Sequence, residues 1–337
     1  MELYHYNHIE SDYKLEEIDK EDGSVKKYKL SYRSPYKTGI AINDTVYAEL
    51  FINKENGKKN ISDSKNKNFL ILVHGFSTRK KKLSNYYHFI NKMNENNISC
   101  GFINMPFHLN RTPPGEKSGE RLIYYNDTET LYFFHQCVID VKKLIDILLK
   151  NFSFKKIFIC GVSLGGMVSL ITMANDNRIN KGVFLISGGN WEEIHWKGIL
   201  RFALKGNCTY GEKKYEDKTN REVCREIYSS FPNFLKKIKE IKYEKIRMDL
   251  KGLPDLKKVT TKMCFLCDPL AFAHRIKPKK VLMINSTFDF YFPKNSSLQL
   301  WEELGRPKIC WLNKLHSSSI LNDKKVIKEI KHFLLDT

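Results

Sequence analysis

Six short apolar runs show almost no alternation of polar and apolar positions: FLILVHG (69–75), CGFINMP (100–106), KIFICG (156–161), KGVFLIS (181–187), KKVLMIN (279–285) and KICWLN (308–313). Strands covered on both faces read this way, so the pattern predicts a parallel sheet between layers of helix. Two earlier stretches, VKKYKLSYRS (25–34) and DTVYAELFIN (44–53), alternate in part, as strands wet on one face do. Between the runs the period becomes helical. LSNYYHFINKMNEN follows the first run, TLYFFHQCVIDVKKLIDILLK the second, LGGMVSLITMAN the third, SLQLWEEL the fifth and KKVIKEIKHFLLD the sixth. In the second of these helices Val138, Val141, Leu144, Ile145 and Leu148 share one stripe. Strand and helix in alternation, after antiparallel-looking strands, predict a doubly wound, mostly parallel α/β sheet.

Two connections break the rhythm. NKENGKKNISDSKNKN (53–68) is polar and turn-rich, which predicts a loop. From Gly188 to Lys279 the chain runs roughly 90 residues before its next core strand, far beyond an ordinary connection. Helix-like text such as NREVCREIYSSFPNFLKKIKEI lies inside it. The expectation is an inserted helical cap, residues 188–279, between the sixth and seventh core strands. It divides the core into residues 1–187 and 280–337.

The third core run leads into GVSLGG, with Ser163 at the tip of a strand-to-helix turn. Such a turn strains its tip residue and crowds the positions two before and two after it, where a β-carbon would clash. Gly161 and Gly165 meet that demand, and Gly166 keeps the first helical turn thin. The hydroxyl of Ser163 is thereby held above the carboxyl ends of the strands, where α/β folds bind ligands. The amide of Leu164, at the helix N-terminus, faces any oxygen bound there.

A serine hydroxyl is a poor nucleophile without a base, and the base needs an orienting carboxylate. KKVLMINSTFDFYFP delivers Asp289 at the end of one core strand, and KICWLNKLHSSS delivers His316 at the end of the next. Parallel strands end together, so both are expected on the edge that carries Ser163. His332 lies within the final helix, where a surface role fits better. Asp289 also reads as a cap of the turn before Pro293. Asp268, in CDPLAFAHR, is a second carboxylate, in a context that reads as a helix N-cap, with His274 on the same helix. Upstream, FLILVHGF ends in His74-Gly75-Phe76. The amide of Phe76 is expected to share an oxyanion with that of Leu164, and His74 to organise the loop.

LVHGF, GVSLGG, INSTFD and the late His316 together resemble the α/β-hydrolase superfamily, of the serine carboxylesterase and lipase type, from about Phe69 onward. MPFHLNRTPPGEKSGE and CFLCDPLAFAHR resemble segments of little-characterised bacterial members. The resemblance implies an oxyanion loop, a nucleophile elbow, an acid turn and a base turn at these positions. One departure is Leu315, where the family usually has glycine before the base.

Composition adds limits. Hydrophobic residues make up 42% and charged residues 28%, a globular profile. The net charge of +19 is spread through every segment and accompanied by no zinc finger or RNA-recognition signature, so nucleic acid is not an expected partner. Contact with an anionic surface stays open. MELYHYNHIESDYK lacks a basic region followed by an apolar core, and no apolar run reaches the roughly 18 residues of a membrane span. The expected compartment is the cytoplasm. Of eight cysteines, Cys100, Cys160 and Cys310 fall in strand-like runs. Cys264 and Cys267 form a CxxC, but Cys208 and Cys224 are too far apart to make the second close pair of a zinc site. His108 and Arg111, in MPFHLNRTPPGEKSGERLIYYNDTE, are candidates to meet a polar substrate group. The cap aromatics Trp191, Trp196, Phe202 and Phe231 read either as an acyl site or as the cap's own core. The combined expectation is a serine hydrolase of carboxylic esters that needs no metal or organic cofactor. Thioesterase, amidase or acyltransferase chemistry on the same residues is the alternative, as is a non-catalytic binding relative.

Overall fold

All six unalternating runs form strands, and each is followed by its predicted helix where one was expected. A computed structural model describes residues 4, 6, 12–18, 24–54, 68–76, 78–205, 218–231, 233, 236 and 263–336. The strands are β1 Tyr13–Glu17, β2 Val25–Arg33, β3 Thr45–Asn53, β4 Asn68–Val73, β5 Ile98–Ile103, β6 Lys156–Val162, β7 Ile179–Leu185, β8 Val281–Phe288 and β9 Lys308–Leu315. They form one sheet in the order β1-β2-β3-β5-β4-β6-β7-β8-β9. β1, β2, β3 and β5 pair antiparallel in succession, while β4 to β9 run parallel. β1 was not expected, and counting it puts the long connection between the seventh and eighth strands.

The lack of alternation has its physical counterpart in two cores. Phe69, Ile71 and Val73 of β4 enter one core, and Leu70 and Leu72 enter the other. The first is closed by α2 Asp127–Asn151 and α3 Leu164–Ala174, the second by α1 Leu83–Asn94 and, at residues 324–335, a C-terminal helix. The predicted stripe of α2 lies wholly in the first core. A capping box starts α2: the Asn126 side chain accepts from the Glu129 amide, and the Glu129 carboxylate accepts from the Asn126 amide.

Beneath the loop after β5 lies a polar network that the sequence did not reveal. Arg111 is fully buried and donates to Asp140 Oδ2 at 2.8 Å, Asn43 O at 2.8 Å and Asn104 O at 3.1 Å. Ser34 Oγ donates to the other oxygen of Asp140 at 2.6 Å. The reading of Arg111 and His108 as substrate contacts is therefore corrected. Both are wholly buried, His108 Nδ1 lies 2.7 Å from Pro106 O, and neither lines the cavity described below. A guanidinium out of water needs a carboxylate, and α2 supplies one from its inner face.

The long connection is described at residues 186–205, 218–231, 233, 236 and 263–280; the first part of the helical stretch expected over 220–241 is present as α4 Asn220–Ser229, and residues 237–241 of it lie outside the described residues. Of the cap aromatics, Trp191 packs edge-on against Phe134, Phe231 lies against Phe265, and Phe202 is exposed. Cys208 and most of the polar stretch 53–68 lie outside the described residues. No group of three metal-ligating side chains that could hold an ion occurs among the described residues. No described helix is long and apolar enough to cross a membrane.

Candidate active site

β4 and β6 are neighbours, with Val73 opposite Gly161, so the loops that leave their carboxyl ends lie side by side. Here the strand order reverses: the chain goes from β4 to β5 on one side and then to β6 on the other. Open α/β sheets form their ligand crevice at such a point.

Ser163 follows β6 with φ +58° and ψ −123°, a backbone conformation that costs a non-glycine residue energy. The surroundings hold it there. The Ser163 amide donates to Leu185 O at 2.8 Å, and the Ser163 carbonyl accepts from the Gly166 amide at 2.8 Å. A β-carbon on Gly161 would overlap the carbonyl of Gly165, and one on Gly165 would overlap the carbonyls of Val73 and His74. On Gly166 it would come within 2.6 Å of the Ser187 side chain. The two elbow glycines thus let α3 pack directly on β4 and β6.

Asp289 follows β8 and His316 follows β9 on the same edge of the sheet. His316 Nε2 lies 2.9 Å from Ser163 Oγ, and His316 Nδ1 lies 2.7 Å from Asp289 Oδ2. The other carboxylate oxygen, Oδ1, accepts from the amides of Tyr291 at 2.9 Å and Phe292 at 2.8 Å. One oxygen of Asp289 thus faces the imidazole while the other caps the turn before Pro293. The rings of Tyr291 and Phe292 pack on the imidazole, with centroids at 4.7 and 5.8 Å. Leu315, in place of the usual glycine, is exposed. A carboxylate beside Nδ1 favours the tautomer with its proton there, which leaves the Nε2 lone pair for the serine hydroxyl.

The loop after β4 is fixed by its own polar contacts. His74 Nε2 accepts from the Met105 amide at 3.1 Å, so Nδ1 carries the proton and donates to Gly75 O at 2.9 Å. Thr78 Oγ1 donates to the same carbonyl at 2.8 Å. The Gly75 amide donates to the Tyr86 hydroxyl at 3.1 Å. With the Gly75 carbonyl held on one side of a trans peptide, the Phe76 N–H of that same peptide points the opposite way. Phe76 and Leu164 line one cavity with Ser163, and neither amide donates to another described residue. Tyr86 and Thr78 escaped the sequence reading, although Tyr86, Phe89, Ile90 and Met93 form a visible apolar stripe on α1. His74 is fully buried, and burial above all, then the neighbouring His108, pushes it down to about 3. It is a neutral organiser of the loop.

Asp268 does not reach His316. Its Oδ1 accepts from the amides of Asn190 at 3.1 Å and Leu270 at 2.9 Å, and its Oδ2 accepts from the Trp191 amide at 3.0 Å and the Tyr228 hydroxyl. It thereby holds the first amide of the short helix Leu270–Ala273 and ties the segment after β7 to it. His274 and His332 are exposed at or near helix ends.

The cavity beside Ser163 measures about 100 Å³. Its floor is Met167 with Phe133 and Phe134 of α2, and its far wall comes from the long connection through Trp191, Ile194, His195, Leu200, Leu204 and Cys264. The lining is overwhelmingly apolar.

Residues 59–336 match the sequence model of a family described as alpha/beta hydrolase domain containing 18. The chain belongs to this family. No curated protein matches it by sequence. Among solved structures, acetyl xylan esterase 1 from Thermoanaerobacterium sp. JW/SL YS485 aligns with a TM-score of 0.54 at 18% identity, over 94% of this chain and 86% of that one. Acetyl xylan esterase from Paenibacillus sp. R4 gives 0.58 at 13%, over 96% and 90%. A cold-adapted esterase from an Arctic intertidal metagenomic library gives 0.52 at 13%, over 97% and 98%. At these identities the likeness is one of fold, and this member of the alpha/beta hydrolase domain containing 18 family shares it along nearly its whole length.

Proposed function

We propose that the protein is a serine hydrolase that cleaves carboxylic esters. The observation that carries this reading is the unbroken line of contacts from Asp289 through His316 to the strained Ser163. Ser163 Oγ attacks the ester carbon while its proton passes to His316 Nε2, and Asp289 stabilises the resulting imidazolium. The carbonyl oxygen takes up the negative charge opposite the Phe76 and Leu164 amides, each worth about 3 kcal/mol in sites of this kind. The intermediate collapses, the alcohol leaves with the proton from His316, and the acyl group stays on Ser163. Water then repeats the sequence: His316 takes a proton from the water as the water oxygen attacks the acyl carbon, and returns that proton to Ser163 Oγ as the acid is released.

Support for an ester rests on the apolar cavity beside Ser163 and on the company of esterases among proteins of this fold. Residues 188–279 act in this reading as a cap, since Trp191, Ile194, His195, Leu200, Leu204 and Cys264 supply the cavity's outer wall. A fluorophosphonate probe with a panel of p-nitrophenyl esters and thioesters provides the test. The expected result is labelling of the wild type, none of Ser163→Ala, and turnover that falls with the label. Turnover retained in Ser163→Ala overturns the proposal.

A further inference from the structure

The cavity wall carries a polar group that nothing among the described residues satisfies. His195 is only 7% exposed and lines the cavity. Its Nδ1 is sealed from solvent without a hydrogen-bond partner, and no described residue bonds its Nε2. Among the buried polar atoms left without partners in the described residues, this one alone belongs to a residue of the cavity wall. Its neighbour Trp191, whose ring lies 4.9 Å away, shows what satisfaction looks like: the indole donates to Cys264 O at 2.8 Å. A buried polar group left unpaired is a cost that folds seldom keep without a use.

The backbone at this point is also unusual. Glu193–Lys197 is a π-helical turn, with the Gly198 amide reaching back five residues to Glu193 O at 3.0 Å. Such widened turns are rare, and they concentrate where a side chain serves a site.

We propose that His195 reads an oxygen on the acyl chain of the substrate, so that the preferred acyl group is apolar with a hydroxyl or keto oxygen along it. This rests on the ester hydrolase reading above. The acyl group is the part retained on Ser163 while the alcohol departs and water enters, so it takes the cavity that runs from Ser163 between the helices and the cap segment. Nδ1 is closed even to water, so the nitrogen that can meet a substrate oxygen is Nε2, which takes a hydroxyl in either tautomer and a keto oxygen when it carries the N–H. A chain without such an oxygen leaves His195 unpaired, and the discrimination expected from one buried hydrogen bond is roughly tenfold to a hundredfold.

The test measures binding rather than turnover, in a Ser163→Ala background. A medium-chain fatty acid is compared with isomers in which one hydroxyl is walked along the chain. At least one isomer is expected to bind tenfold or more tightly than the plain acid. That ratio is expected to collapse in His195→Phe and to survive in part in His195→Gln, which keeps a donor and an acceptor. Thermal melts of both variants verify that each is folded. A series with no preferred isomer, or a preference that persists in His195→Phe, overturns the inference. If the preference holds while wild-type protein hydrolyses no ester, it is the hydrolase reading that falls, and the recognition role stands.

Discussion

His316 and Asp289 meet along one edge of each side chain, Nδ1 to Oδ2 at 2.7 Å, while the far oxygen of Asp289 holds the two amides that follow it. The same carboxylate thus orients an imidazole and shapes the turn that presents it. Asp289→Asn separates these duties. The amide oxygen still accepts from Tyr291 and Phe292, but the NH2 group then faces Nδ1 and forces the proton to Nε2, where it blocks the serine. On the proposed chemistry kcat is expected to fall about 10⁴-fold with little change in melting temperature. Asp289→Ala loses both functions, so its melting temperature falls as well. Steady-state kinetics and thermal melts of the pair check this.

The elbow glycines make a second case, one of space rather than of conformation. Gly165→Ala forces a methyl group against the carbonyls of Val73 and His74, which cannot yield without parting β4 from α3. The expected loss is about 3 kcal/mol, at the upper end of overpacking costs. Gly39 is the contrast: its φ is +80° and nothing lies within 4 Å of the position a β-carbon would take. Gly39→Ala carries only the left-handed penalty, about 1 kcal/mol. Urea unfolding of the two variants should rank them in that order.

Arg111 and Asp140 form an ion pair with side chains 0% and 1% exposed. Removing one partner strands the other charge, and each of Arg111→Met and Asp140→Leu is expected to cost about 3–5 kcal/mol. The double variant should cost clearly less than the sum. A double-mutant cycle in denaturant measures the coupling, and strict additivity contradicts the pairing.

Two histidines set an acid limit on stability. Burial, more than any neighbour, lowers His74 to about 3 and His108 to about 4, against an ordinary 6.5. As pH falls through 6.5 the unfolded chain takes up protons at these positions, and the folded one does so only near 4 and 3. The unfolded state binds more protons in that window, so stability is lost as pH drops from about 6.5 towards 4. Between pH 7 and pH 5 the loss is expected to be about 2 kcal/mol for each imidazole. Urea unfolding at the two pH values measures the sum, and NMR titration should find both rings uncharged at pH 5.

The sheet and the three groups at its edge were legible because burial on both faces erases alternation, and because a strained turn demands glycines at fixed offsets. β1 was not, since its five residues YKLEE offer only Tyr13 and Leu15, both half-buried, to the core, too short an alternation to stand out. Arg111 was misread because its partner lies 29 residues away. The only hint was a lone Asp140 between Ile139 and Val141 on the apolar side of α2. His195 left no trace in the periodicity, for a π-helical turn shifts the phase on which a helical reading depends. The anchoring of Gly75 by Tyr86 and Thr78 depends on main-chain directions that no spacing encodes.

β9 is the outermost strand of the parallel half, and it alone carries His316 to Ser163, 153 residues earlier in the chain. A nascent polypeptide can therefore complete its central strands and its elbow while still chemically silent. Fraying at that rim would likewise disconnect proton transfer with the interior intact. On the proposed mechanism, heating should extinguish catalysis some degrees before the helices melt by far-UV circular dichroism, with recovery on prompt cooling.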